Sequence, residues 1–131
     1  MQTTMTKQKN IFGKPSNPKK TRDNQASNLL TRQVINLINW KYGRAYRIQK
    51  GVLPIAGGRF RPVCMENGLA DIWACISGRM VWIEIKIGKD KLSQDQLKQK
   101  ELLEKAGGIF IEGKTFEQTE EELKKHFKCQ K

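Results

Sequence analysis

The chain has 131 residues, enough for one domain with a modest core, and a formal net charge of +12. No apolar run approaches the length of about 18 residues that a membrane span needs, and the N-terminus lacks the apolar segment of a secretory signal. We therefore expect a cytoplasmic protein with no membrane partner. Cys64, Cys75 and Cys129 lack the spacing of a metal site and are expected to be reduced thiols.

The positive charge is concentrated in the first half of the chain. Residues 1–20 hold five lysines and no acid, and residues 21–70 hold eight basic and two acidic residues. Residues 71–131 are nearly neutral, with twelve basic and eleven acidic residues. A basic block of this kind favours a partner with a phosphate backbone, while a basic surface that only keeps the protein in solution is the alternative.

The first elements in chain order are an arm and a helix. Residues 1–21 are rich in Thr, Lys, Asn and Pro and predict a disordered basic arm, which leaves residues 22–131 as the folded domain. A helix is predicted from about Asn24 to Tyr42, ending at Gly43. Its core stripe has helical spacing and consists of Leu30, Val34, Leu37 and Ile38.

Later segments alternate between strand and helix patterns. Residues 45–49 predict a strand, and residues 51–62 form a Gly/Pro-rich loop or hairpin. After a pair of strands within residues 69–87, a helix over 94–106 ends at Gly107-Gly108, and a short strand and a terminal helix follow. The order α-β-β-β-α-β-α predicts an α/β fold with a mixed central sheet flanked by helices, because a helix between the last two strands permits a parallel crossover.

The segment over residues 81–87 alternates with the period of a half-buried strand. Its aliphatic residues fall on one face, and Trp82, Glu84 and Lys86 fall on the other. An acid and a base therefore lie side by side, about 7 Å apart along one strand.

The preceding strand, over residues 69–76, carries Asp71. Ser77 to Met80 predicts a turn whose two-residue loop is Gly78-Arg79, with Gly78 at the first central position. This loop places Asp71 opposite Lys86 and diagonal to Glu84. The prediction depends on this turn, because a three-residue loop would move the side chains to different faces.

Two neighbouring carboxylates repel each other unless a cation lies between them, and oxygen ligands suit Mg²⁺ or Mn²⁺. Such a metal would activate a water and offset charge on a phosphate, and Lys86 would orient that water or stabilise the same charge. The alternative is a surface hairpin with a cross-strand Asp–Lys pair, which contributes at most about 1 kcal/mol.

The wider pattern is more specific than the acid and the Glu-x-Lys motif alone. Gly68-Leu69-Ala70-Asp71-Ile72, then Ile83-Glu84-Ile85-Lys86-Ile87-Gly88-Lys89-Asp90-Lys91-Leu92-Ser93-Gln94-Asp95-Gln96, and then Gly107-Gly108 follow one another in order. This string resembles the VRR-NUC branch of the PD-(D/E)XK nuclease superfamily, especially its small stand-alone phage and bacterial members. The resemblance implies a restriction-endonuclease-like fold and covers about half of the chain closely, from Gly68 to Phe116.

The resemblance also implies roles for single residues. Asp71 and Glu84 would be metal ligands together with the backbone carbonyl of Ile85, Lys86 would be the catalytic lysine, and Gln96 would lie at the site. Ser93 and Gln96 also form a capping-box pattern, so a purely structural role for the glutamine is an equal alternative.

The chain departs from the family pattern at two places. Ala70 stands where relatives carry Pro, and no acidic residue lies between Asp23 and Glu66, although many relatives carry a Glu on the first helix. Gln33 is the candidate for that helix position, and the missing acid leaves open whether the site holds one metal ion or two.

Basic and aromatic residues around the site are candidates for contact with nucleic acid. Tyr46, Phe60 and Trp73 either stack on bases of a splayed substrate or pack in the protein. The candidate phosphate contacts are Arg47, Arg59, Arg61, Lys89 and Lys91.

Together these observations predict a Mg²⁺- or Mn²⁺-dependent nuclease that hydrolyses DNA. The resemblance implies a homodimer, and for some relatives a substrate with branches, such as a Holliday junction. Two alternatives of other classes stay open: a nucleic-acid-binding module of the same fold with weak or no turnover, and a basic structural nucleoprotein.

Overall fold

A four-stranded mixed sheet in the order β1-β4-β5-β6 forms the centre of the protein, in a computed structural model that describes residues 18–63 and 66–127. The helices are α1 (Pro18–Lys41), α2 (Gln94–Lys105) and α3 (Phe116–His126). The central strands are β1 (Arg44–Arg47), β4 (Ile72–Ile76), β5 (Arg79–Ile85) and β6 (Ile109–Gly113), and a separate hairpin consists of β2 (Val52–Ile55) and β3 (Arg59–Pro62). This confirms the predicted mixed sheet flanked by helices.

The core lies on one face of the sheet, where α1 and α3 cover the aliphatic side chains of the strands. The predicted stripe of α1 is confirmed, since all four of its residues are buried. From the sheet, Ile72, Ile83 and Ile111 are among the buried partners, and Leu123 joins them from α3. The aliphatic face of β5 is therefore fixed toward the helices, which turns its polar face toward the other side of the sheet.

Strand β4 runs antiparallel to β1 and β5, whereas β6 runs parallel to β5. The α2 helix makes the crossover between the parallel strands and lies on the polar face, because its Lys100 ammonium is 5.8 Å from the centre of the Phe110 ring. The first turn of α2 therefore lies above the face that carries Glu84.

The turn of the β4–β5 hairpin differs from the sequence prediction. Ile76 pairs with Arg79, so the two-residue loop is Ser77-Gly78, and both of its residues have positive φ (53° and 77°), as in a type I′ turn. Serine is only a weak sequence signal for this conformation, so the sequence favours Gly78-Arg79 over Ser77-Gly78 as the loop. Since both loops have two residues, the faces are unchanged, but the register moves by two residues.

The predicted loop over residues 51–62 is a hairpin whose two strands are exposed along their whole length. Leu53 pairs with Arg61, and Ile55 pairs with Arg59, so both arginines share one face with two aliphatic residues. Prolines and Phe60 occupy the opposite face.

Helix α1 begins at Pro18, inside the segment predicted as an arm, and proline is favoured in the first turn of a helix. Residues 1–17 of that predicted arm lie outside the described residues. In the part of the chain that the structure describes, no helix is long and apolar enough to cross a membrane.

Candidate active site

Asp71 and Glu84 meet at the end of the β4–β5 hairpin. The observed register pairs Ile72 with Ile83, so Asp71 lies opposite Glu84 and not opposite Lys86 as the sequence predicted. The Asp71 N–H donates to Glu84 Oε2 at 3.2 Å, and the Ile85 N–H donates to Asp71 Oδ2 at 2.9 Å. Each carboxylate is thus held by the backbone of the other strand, and both are directed to one point.

Glu84 is buried, with 3% of its surface exposed. Burial raises the pKa of its carboxyl to about 7, and the neighbouring Asp71 charge adds to this rise, whereas Lys50 and Lys86 act against it. An acid with a raised pKa beside a second carboxylate is an arrangement found at catalytic and cation-binding sites, although structural networks also produce it.

Lys50 completes this cluster, and the sequence reasoning missed it. Its ammonium lies 2.8 Å from Asp71 Oδ1 and 3.6 Å from Glu84 Oε2, and it donates to the Leu69 carbonyl oxygen at 2.9 Å. Lys50 follows β1, and no motif joins it to the Glu-x-Lys strand. Only the three-dimensional pairing of β1 with β4 reveals the contact.

Lys86 lies on the polar face of the same strand as Glu84, as predicted. Its ammonium is 3.9 Å from Glu84 Oε1, and 17% of its side chain is exposed. The lysine is therefore at the edge of the carboxylate cluster, with part of its charge available to a molecule bound there.

Gln96 combines the two roles that the sequence left open. Its backbone N–H donates to Ser93 Oγ and its side-chain oxygen accepts from the Ser93 N–H, which completes the capping box. Its Nε2 also donates to Glu84 Oε1 at 2.8 Å. One side chain thus closes the first turn of α2 and holds the buried carboxylate.

Gly68 lets α2 approach this closely. It has φ +83°, and a Cβ on it would lie 2.4 Å from the carbonyl carbon and oxygen of Asp95. Any other residue would therefore push the start of α2, and with it Gln96, away from Glu84.

The oxygen atoms present fit a hydrated divalent cation. Among residues 18–63 and 66–127, no group of three or more His, Cys, Asp or Glu side chains is placed to hold a metal. Two carboxylates nevertheless converge here, and the Lys50 ammonium already contacts an oxygen of each and a backbone carbonyl, so the position accepts a positive charge. Mg²⁺ commonly binds through one or two carboxylates and keeps several waters.

The backbone of Ile85 also faces the carboxylates. Its N–H donates to Asp71, and the N–H and C=O of one strand residue point to the same side. The carbonyl that the sequence assigned to metal binding is therefore directed toward the β4 side of β5.

Comparison with known proteins agrees with this architecture. No family model matches the chain, and no curated protein matches it. A solved structure described as a VRR_NUC domain is similar, with a TM-score of 0.50 and 18% sequence identity, over 79% of this chain and 96% of that chain.

The chain has the fold of a VRR_NUC domain. The restriction-endonuclease-like fold expected from the motifs is thereby confirmed. At this sequence identity the likeness extends to the fold alone, and the roles of the site residues rest on their geometry.

The candidate that the sequence resemblance gave for the helix-one position requires a correction. Gln33 is exposed and lines a groove between α1 and α3, together with Trp40, Phe116 and Glu120. This groove belongs to the helical side of the sheet, so Gln33 is not directed at Asp71 and Glu84. A long helix presents several polar faces, and the sequence does not show which of them reaches the site.

A different acid of α1 lies nearer to the loop that follows β5. Asp23 lines a depression together with Ile87, Gly88, Lys89 and Asp90. The helix predicted from the sequence begins at about Asn24, whereas α1 begins at Pro18 and therefore includes Asp23. Lys89 and Lys91 are exposed in this loop, as expected for residues that contact a ligand outside the fold.

The other basic candidates occupy two places. Arg59 and Arg61 lie on the exposed β2–β3 hairpin, which begins two residues after Lys50. Arg47 is exposed but engaged, since its guanidinium donates to Asn28 Oδ1 of α1 at 2.6 Å. The hairpin arginines are thus free of described protein partners, whereas Arg47 helps to join β1 to α1.

Aromatic side chains form a row across the polar face of the sheet. Trp73 and Trp82 are paired across β4 and β5 and stack with ring centres 4.8 Å apart, while Tyr46 lies opposite Trp73 and Phe110 opposite Trp82. Trp73 is thus packed against a neighbour, whereas Tyr46 is 61% exposed and Phe60 is 66% exposed on the hairpin. Of the two alternatives expected for these aromatic residues, packing in the protein therefore applies to Trp73. Tyr46 and Phe60 are exposed, so stacking on a base stays open for them.

Proposed function

We propose that the protein is a Mg²⁺- or Mn²⁺-dependent DNA nuclease. The observation that carries this proposal is the convergence of Asp71, Glu84, Lys86 and Gln96 at one end of the sheet in a VRR_NUC fold. The two carboxylates and the Ile85 carbonyl would hold the metal, and the partially exposed lysine lies beside them.

Each residue has a separate task in this proposal. Asp71 and Glu84 would hold the cation, which would supply an activated water and positive charge at the scissile phosphate. Lys86 donates a charged hydrogen bond to the phosphate oxygens as their charge increases. Gln96 keeps the Glu84 carboxylate in position, so that the cluster is organised before substrate binds.

The charge distribution supports DNA as the substrate. Arg59 and Arg61 are exposed on the hairpin that follows Lys50, Lys89 and Lys91 are exposed in the loop after β5, and a net charge of +12 attracts the phosphate backbone. By the resemblance to small stand-alone relatives, we further propose a homodimer in the cytoplasm that acts on branched DNA, because two sites in one particle suit paired incisions.

A cleavage assay tests the proposal. The purified protein is incubated with linear duplex, single-stranded, flapped and four-way DNA in Mg²⁺, Mn²⁺ or EDTA. We expect metal-dependent products, strongest for four-way DNA, and none from Asp71→Asn. Cleavage that persists in EDTA or in Asp71→Asn would contradict the assignment, and light scattering of the same sample reports whether it is a dimer.

The second candidate is a nucleic-acid-binding module without turnover. It is favoured by the absence, in the described part of the chain, of a third acidic ligand at the carboxylate pair. Under this alternative the protein binds four-way DNA, cuts no substrate in either metal, and binds equally well as Asp71→Asn.

A further inference from the structure

Lys50 is the described cation nearest to Asp71. Its ammonium contacts Asp71 Oδ1, Glu84 Oε2 and the Leu69 carbonyl oxygen at 2.8, 3.6 and 2.9 Å. Two of these oxygens belong to the segment just before β4, and the third belongs to Glu84 of β5. The lysine is therefore an internal counter-cation that offsets the repulsion between two close acids.

A divalent metal and this ammonium would compete for the same oxygens. Three of the four carboxylate oxygens accept other hydrogen bonds: Asp71 Oδ2 from the Ile85 N–H, Glu84 Oε1 from Gln96, and Glu84 Oε2 from the Asp71 N–H. The fourth, Asp71 Oδ1, is the one that Lys50 contacts most closely, at 2.8 Å. Two positive charges a few ångströms apart repel strongly in a partly buried site. Metal binding must therefore move the Lys50 ammonium.

The surroundings of Lys50 allow that movement. A third of its side chain is exposed, and it is followed by Gly51, with φ +104°, and by the exposed β2–β3 hairpin that carries Arg59 and Arg61. Lys50 lines an open depression together with Gly51, Val52 and Pro62 at the base of this hairpin, so its side chain has space away from the carboxylates. A phosphate held there is a suitable new partner for the displaced charge.

We propose that Lys50 exchanges partners during substrate binding: it neutralises Asp71 and Glu84 in the free protein and passes to a DNA phosphate when the metal takes its place. This inference rests on the proposed function, since it requires the metal site. It adds a DNA contact that the sequence motif does not contain, and it makes metal binding weaker in the free protein than the two carboxylates alone would allow.

Calorimetry with Mn²⁺ tests the first half of the exchange. Lys50→Met keeps the unbranched chain up to the ε carbon and removes the ammonium, so we expect Mn²⁺ to bind about 10-fold tighter or more. Without metal the same variant should melt at a lower temperature than wild type, because two acids lose their counter-cation. Lys91→Met, an exposed lysine with no described contact to the carboxylates, is the control for a general loss of charge.

The outcomes separate this inference from the proposed function. Equal Mn²⁺ affinity in wild type and Lys50→Met would overturn the exchange and leave the metal site intact. Absence of Mn²⁺ binding in both proteins would overturn the exchange together with the metal site. Tightening of similar size in Lys91→Met would show a long-range charge effect and would also overturn the exchange.

The second half is tested by DNA binding at several salt concentrations, in a Lys86→Ala background that suppresses cleavage. With Mn²⁺ present, Lys50→Met should lower the slope of log K against log salt by about 0.9, the value of one phosphate contact on duplex DNA. In EDTA the slope should not change, because the ammonium then stays with the carboxylates. An unchanged slope in Mn²⁺ would show that Lys50 does not reach the phosphate.

Discussion

Glu84 is the most constrained residue of the site. Its carboxylate is almost fully buried, and it accepts hydrogen bonds from the Asp71 N–H and from Gln96. A buried carboxylate is tolerated only when it is paired or protonated, and the raised pKa shows that burial and the Asp71 charge outweigh the two lysines. Above about pH 7 the folded protein therefore holds a buried negative charge that the two lysines offset only in part.

The raised pKa of Glu84 predicts how stability depends on pH. The folded state keeps this proton up to about pH 7, whereas the unfolded chain loses it near 4.5. The stabilisation is therefore complete at low pH and is lost as pH rises from about 4.5 to 7, by about 1.4 kcal/mol per pH unit at most. Urea unfolding in EDTA at pH 5 and pH 8 measures this difference.

Two variants separate Glu84 from the other acids in that experiment. Glu84→Gln should remove most of the fall in unfolding free energy between the two pH values. Glu101→Gln, on the exposed side of α2, should retain it. If the pH profile of Glu84→Gln matches that of wild type, a different group causes the dependence.

Lys86 provides a second prediction at the scale of single residues. Lys86→Ala should fold and bind DNA, but its turnover should fall by roughly 100-fold, the effect of removing one donor that acts mainly in the transition state. Single-turnover cleavage rates measure the change. Lys105→Ala, an exposed lysine paired with Glu101, is the control and should cleave at the wild-type rate. An equal loss of DNA affinity and rate would mark Lys86 as a binding residue only.

Among the elements, the β4–β5 hairpin shows how far a sequence pattern reaches. The alternation over residues 81–87 was sufficient to place Glu84 and Lys86 on one face, because the period of a strand fixes its faces. The predicted cross-strand partner of Asp71, Lys86, is wrong. The loop sets the register of the hairpin, and Ser77 in a left-handed conformation gives no strong sequence signal for the loop observed. The error leaves Asp71, Glu84 and Lys86 on one face of the hairpin, because both possible loops contain two residues.

Other elements show what local pattern leaves out. The capping box of α2 was readable from Ser93 and Gln96, yet the bond to Glu84 depends on how closely α2 packs on the sheet. Lys50 and Gln33 also show that a local sequence pattern does not reveal contacts between distant segments. Lys50 reaches the site without a motif, whereas Gln33, the candidate for the helix-one position, faces the α1–α3 groove.

The close approach of α2 makes a prediction about Gly68. Gly68→Ala would place a methyl group 2.4 Å from the Asp95 carbonyl at a φ of +83°, so the helix must move. We expect a loss of about 2 kcal/mol in unfolding free energy or more, from strain and from the displaced helix. Mn²⁺ affinity should fall as well, because Gln96 leaves Glu84.

Gly78→Ala is the matched control for that variant. Its φ of +77° is similar, but a Cβ there meets no atom within 4 Å. This control should lose only about 1 kcal/mol, from the left-handed conformation, and should keep its Mn²⁺ affinity. Equal effects of the two variants on Mn²⁺ binding would show that the contact between Gly68 and α2 does not position the site.

In the whole molecule, the two faces of the sheet have separate tasks. α1 and α3 bury one face and form the core together with the aliphatic side chains of the strands, while the other face carries the carboxylates, the aromatic row and α2. The exposed β2–β3 hairpin is separate from the four-stranded sheet and begins two residues after Lys50. One face of the sheet thus forms the core, and the site proposed for catalysis lies on the other.

The basic N-terminal segment provides the last prediction, because it adds charge without belonging to the described fold. Deleting residues 1–17 removes Lys7, Lys9 and Lys14, and no acid, and leaves α1 intact from its first residue. If these lysines contact duplex phosphates, the slope of log K against log salt should fall by about 0.9 for each contact, and therefore by at most about 2.7. Because the carboxylate cluster is untouched, Mn²⁺ affinity and single-turnover cleavage at saturating protein should stay at wild-type values. An unchanged salt slope would mean that the segment lies outside the complex, and the phosphate contacts would then have to come from the hairpin and from the loop after β5.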